Sequence, residues 1–84
     1  MGLIFAIQCK RAKNKIGNKA IQEVLSGMIY YKCDCAVVVT NSYFTKQAIE
    51  TAKVTGVVLW DRNTLINMMY ESKLRIEKKP PASI

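Results

Sequence analysis

Histidine is absent from this 84-residue chain, tryptophan occurs once, proline twice and cysteine three times. Cys33 and Cys35, separated by a single residue, are not at a zinc-ligand spacing, and no imidazole exists to complete a tetrahedral site. With Cys9 they are expected to be buried free thiols. An odd cysteine count, no signal peptide and no apolar run near the about 20 residues of a membrane span predict a soluble protein of a reducing compartment, the cytoplasm, with no membrane partner. Acid is scarce as well: 6 Asp and Glu stand against 13 Lys and Arg, the net charge is +7, and no acidic residue precedes Glu23. That balance favours a polyanionic partner, with a solvated basic surface as the alternative.

What the chain does have is apolar content, 50% of its residues. That suffices for one small domain, whose core at this length is marginal without a partner, metal or disulfide. Leu3 to Cys9 reads as a strand, because Leu3-Ile4-Phe5-Ala6-Ile7 is a continuous apolar run. Gly17-Asn18 opens a helix to about Lys32, with Asn18 as N-cap and Ile21, Val24, Leu25 and Met28 at helical spacing. Ala20, Gly27 and Tyr31 suggest a second, smaller apolar side. Asp34 to Thr40 is the clearest strand, since Ala36-Val37-Val38-Val39 has the profile of a central one. Ser42 or Thr45 can cap a helix carrying Ala48, Ile49 and Ala52 and stopping at Gly56. Val57 to Trp60 is a third strand, and Asp61 caps a last helix with Leu65, Ile66, Met68 and Met69. The order β-α-β-α-β-α, without internal repeat or linker, predicts an α/β fold with a mostly parallel sheet and helices on both faces. Residues 1–72 form the domain, and 73–84, with Pro80-Pro81, a basic, flexible tail.

Chemistry concentrates at two places. Gln8 and Lys10, two residues apart on a strand, project to the same side, where amide and ammonium can face one phosphate. Lys10, Arg11, Lys13 and Lys15 then crowd the loop that follows. Thr40, Asn41 and Ser42 lie where a strand's carboxyl end meets a helix N-terminus, a place where open α/β sheets hold ligands; helix capping alone would also explain them.

The ordered set Ile7-Gln8-Cys9-Lys10-Arg11, Ile16-Gly17 to Ala20-Ile21-Gln22-Glu23, Ala36-Val37-Val38-Val39-Thr40-Asn41-Ser42, Phe44-Thr45 and Ala48, closing with Leu59-Trp60-Asp61 and Leu65, resembles the Mrr-type restriction endonuclease domain. That family is a Gln-x-Lys branch of the PD-(D/E)xK nuclease superfamily, and the match runs from about residue 4 to residue 69. The resemblance implies a restriction-endonuclease-like three-layer α/β/α fold, here truncated, and DNA as the partner. It implies that Lys10 holds the attacking water and neutralises the scissile phosphate, and that Gln8 and the backbone carbonyl of Cys9 lie beside Mg²⁺. It also brings in Gln22 as a glutamine facing the site, with an exposed helical amide as the alternative.

The chain departs from that pattern in its acids. Such a metal site needs an Asp on a preceding hairpin, whereas Asp34 and Asp61 do not match the motif positions. The chain therefore reads as the C-terminal part of such a nuclease domain, inactive alone, or as a non-catalytic remnant that binds nucleic acid or dimerises. Leu3 to Cys9 is expected to be an edge that no proline or charge blunts before Lys10, so a homodimer is expected, built on that strand or on the Ala20, Gly27 and Tyr31 side of the first helix.

Overall fold

The computed structural model describes residues 2–78. Three parallel strands, β1 (Phe5–Lys10), β2 (Cys35–Thr40) and β3 (Val58–Trp60), lie in the order β1-β2-β3. The helices α1 (Asn18–Tyr30), α2 (Lys46–Thr55) and α3 (Arg62–Lys78) follow them in turn. Phe5 pairs with Cys35 and Lys10 with Thr40, so β1 and β2 are in register over their full length, while β3 pairs only from Val37↔Val58 to Val39↔Trp60.

β2 is central because its residues can be buried on both sides: Ala36, Val37 and Val38 are all buried. Side chains alternate along a strand, so Ala36, Val38 and Thr40 share one face and Val37 and Val39 the other. The first face is the core. It packs Ala36 and Val38 against Ala20, Ile21 and Val24 of α1 and Ala48 and Ala52 of α2, with Phe44 and Val57 closing the ends. On the other face Leu65 of α3 lies beside Cys9 and Val39, while Phe5 and Ile7 remain 50% and 59% exposed.

The ends of the elements have local causes. Thr45, not Ser42, caps α2, its hydroxyl accepting from the Ala48 N–H at 3.1 Å. Gly56 ends that helix at φ 82°, a left-handed conformation that costs glycine little. Asp61 caps α3 by accepting from the Thr64 N–H and hydroxyl. α1 closes earlier than Lys32. The N–H of Cys33 donates to the Met28 carbonyl and that of Lys32 to Ile29, the bond pattern of a Schellman motif, with Lys32 at φ 55° where glycine is usual.

Several expectations are corrected. The N-cap of α1 is Gly17, and Asn18 is the first helical residue. Ala20 belongs to the core at 4% exposure, so it is not part of a separate apolar side with Gly27 and Tyr31; it sits next to Val24 on one broad stripe. Cys9 is exposed and Cys33 and Cys35 half-buried, because the β1 face that carries Cys9 is only partly covered. α3 continues through the first residues of the expected tail to Lys78; the remainder, 79–84, lies outside the described residues. Among the described residues no helix is long and apolar enough to cross a membrane.

Candidate functional site

The alternation of β1 puts Ala6, Gln8 and Lys10 on the side of α1, and there one acidic side chain meets the two polar ones. Gln8 Nε2 donates to Glu23 Oε1 at 2.9 Å, and Lys10 Nζ lies 2.8 Å from the same oxygen. Lys10 and Glu23 side chains are 36% and 38% exposed, so the group sits at a surface where an incoming ligand can reach it. The hydrogen bond from Lys10, followed by that from Gln8, holds the Glu23 carboxyl below the usual carboxylate range. Around it lies a cavity of about 220 Å³ lined by Lys10, Lys15, Lys19 and Glu23 together with Ile16, Gly17 and Ala20. Three ammonium groups thus share this cavity with one carboxylate, which leaves its local charge positive.

The basic loop is not free. Ala12 N–H donates to Asn41 Oδ1 at 2.9 Å, and the Ser42 hydroxyl donates to the Asn14 carbonyl at 2.8 Å. Ile16 N–H donates to the Tyr43 carbonyl and Thr45 N–H to the Ile16 carbonyl, forming a bridge between Ile16 and Phe44. Residues 11–16 and 41–45 are thus one tied edge at the carboxyl ends of β1 and β2, from which Arg11, Lys13 and Lys15 project exposed.

The residues singled out from the sequence divide accordingly. Gln8 and Lys10 come together, and Arg11, Lys13 and Lys15 line the rim. Thr40 and Ser42 are 2% and 8% exposed. The Thr40 hydroxyl accepts from the Ser42 N–H at 3.1 Å, so both hydroxyls are spent on the main chain. Asn41 is exposed and uses its carbonyl oxygen on Ala12. Gln22 is exposed and takes no part in the Gln8–Lys10 cluster; the residue of α1 that does is Glu23. Glu23 and Lys19 were the positions missed. A helix turns about 100° per residue, which places Gln22 opposite the apolar stripe of α1, Glu23 at its rim and Lys19 beside Glu23 at the i,i+4 spacing. That phase was the available signal.

The donor set does not fit the implied Mg²⁺, which takes carboxylates and water. Among the described residues this strand end presents one carboxylate, already bonded to an ammonium and an amide, and no group of three or more potential metal ligands occurs. Asp34 is used at the opposite end of β1, where Oδ2 accepts from the Ile4 N–H at 2.7 Å, and Asp61 caps α3.

Comparison with known proteins gives three matches. A family model, Mrr_cat, described as restriction endonuclease, matches residues 2–69. The Type IV methyl-directed restriction enzyme EcoKMrr of Escherichia coli (strain K12) is 31% identical over 74 residues, which is 87% of this chain and 24% of that protein. The DNA modification-dependent restriction endonuclease AspBHI shares the fold with a TM-score of 0.73 at 23% identity, covering 82% of this chain and 18% of that one. The chain thus spans a minor part of either relative's length.

Proposed function

Since the chain belongs to the Mrr restriction endonuclease family, we propose that it binds DNA at the carboxyl end of β1, with one backbone phosphate engaged by Gln8 and Lys10. The single observation that carries this is the Glu23 carboxylate, held by both donors within 2.9 Å. An oxygen anion of the size and charge of a phosphate oxygen is already accommodated there, so a DNA phosphate can replace it by exchanging like contacts. In this reading Lys10 opposes the charge that develops on a phosphate under attack. Gln8 orients it, and Arg11, Lys13 and Lys15 hold the flanking backbone without reading sequence. Asn41, with Thr40 and Ser42 behind it, keeps the loop in place. Hydrolysis needs carboxylates that the described residues do not supply, and the 84-residue polypeptide is inactive by itself in this account. Its three free thiols suit the cytoplasm.

Titration of a labelled duplex at several salt concentrations tests the binding. Affinity should fall steeply as salt rises, and the double variant Lys10→Ala/Lys15→Ala should flatten the log–log slope by about 2. No binding at low salt, or an unchanged slope in the double variant, contradicts the proposal.

A homodimer is part of the same reading. Among the described residues β1 has β2 on one side and nothing on the other, and its outward apolar groups Phe5 and Ile7 are half exposed. An edge of this kind templates pairing with another chain. Of the two modes, antiparallel pairing of two β1 strands across a two-fold axis is the one proposed, supported by the burial of Ala20 within the chain's own core.

A further inference from the structure

Beside the Lys10 cluster lies a larger cavity of about 490 Å³, lined by Ala12, Lys13, Asn41, Ser42, Tyr43 and Arg62. Among the described residues its lining has two cations and no acid. Among the described residues neither Lys13 nor Arg62 forms an ion pair, whereas Lys10 does. The walls come from three stretches of chain pinned together: Ala12 to Asn41, Ser42 to Asn14, and Arg62, whose N–H donates to the Ser42 carbonyl at 2.8 Å. Tyr43 is fixed from its far end, the hydroxyl donating to Asn63 Oδ1 at 3.2 Å. The N–H groups of Ala12, Ser42 and Arg62 are already used, and the side-chain donors that the cleft offers are the ammonium of Lys13, the guanidinium of Arg62 and the amide nitrogen of Asn41. Asn41 also lines a pocket together with Lys10 and Arg11.

We propose that this cleft is a second phosphate seat, taking a DNA backbone phosphate near the one at Lys10, with Arg62 as its principal ligand. The proposal rests on the DNA-binding reading above and adds a site and a residue to it. Two unpaired cations converging on an open, rigid cleft suit an anion that is one unit of a chain, and the planar fork of guanidinium suits two oxygens of one phosphate. With two seats on the tied loops, the strand is held at two points and its direction across the Lys10 site is fixed.

The test is fluorescence anisotropy of a short duplex against the 84-residue polypeptide over a salt series, with Arg62→Gln and Arg62→Lys checked for fold by circular dichroism. Arg62 is exposed at the first turn of α3, and its side chain is outside the core. Arg62→Gln should lower affinity roughly three- to tenfold at low salt, equally for unrelated sequences, and flatten the salt slope by about 1. Arg62→Lys should keep the slope and lose part of the affinity. An unchanged slope in Arg62→Gln, alongside a slope that does respond to Lys10→Ala/Lys15→Ala, overturns this seat while leaving the DNA reading intact. Absence of binding by the wild type overturns both. Amide shifts of Asn41 and Arg62 that inorganic phosphate reproduces in full would assign the cleft to a free anion and contradict a DNA seat.

Discussion

Phe5→Lys should abolish the dimer, leaving a folded monomer or an unfolded chain in sedimentation at micromolar concentration. Phe5 is half exposed on the edge strand, and in an antiparallel β1–β1′ pair over residues 3–9, centred on Ala6, it lies opposite the partner's Ile7. An ammonium placed there is partly desolvated against an apolar side chain with no opposite charge to pair with. The expected cost is about 2–4 kcal/mol, roughly a thirtyfold to thousandfold loss in association. Tyr31→Glu, at the exposed end of α1, should leave the dimer intact. A monomeric wild type, or a Phe5→Lys dimer as tight as the parent, contradicts strand pairing.

A plasmid-nicking assay with the 84-residue polypeptide should show no cleavage that depends on Mg²⁺. Gln8 and Lys10 are in place, but among the described residues the carboxylate that meets them is Glu23, already bonded to both. Mg²⁺ gives up water reluctantly and is poorly held by a single neutralised carboxylate. Mg²⁺-dependent nicking that disappears in Lys10→Ala would mean that another group completes the site, and would contradict the reading of this polypeptide as a binding unit without a metal centre.

Much of the fold is written locally. The uncharged, largely β-branched run Ala36-Val37-Val38-Val39 predicts a central strand wherever its neighbours lie, and Gly56 predicts a helix end because its left-handed conformation is unfavourable for other residues. Gln8 and Lys10 were legible as a pair because strand alternation alone puts them on one side. Glu23 was not, since its meeting with them depends on how α1 is rotated as it crosses over β1. An error of one residue, Gln22 for Glu23, turns the side chain about 100° away. Ala20 was misplaced for a related reason: a small side chain beside Val24 looks like a separate stripe until the packing of α2 and β2 shows how wide the buried face is. Thr40 and Ser42 could be assigned to a loop but not to an orientation, because their hydroxyls follow main-chain groups that the fold brings in from Asn14 and Ser42 itself.

The most direct measurement of the central claim is the duplex affinity of Glu23→Gln against wild type at low salt. If the Glu23 carboxylate occupies the place of a DNA phosphate, replacing it with a neutral side chain frees Lys10 and Gln8 and removes one repelling charge. Binding should then tighten roughly tenfold, the equivalent of about 1.4 kcal/mol. Combining Glu23→Gln with Lys10→Ala should erase that gain. An affinity that is unchanged or weaker in Glu23→Gln, with the protein folded, would show that DNA does not enter between Gln8 and Lys10.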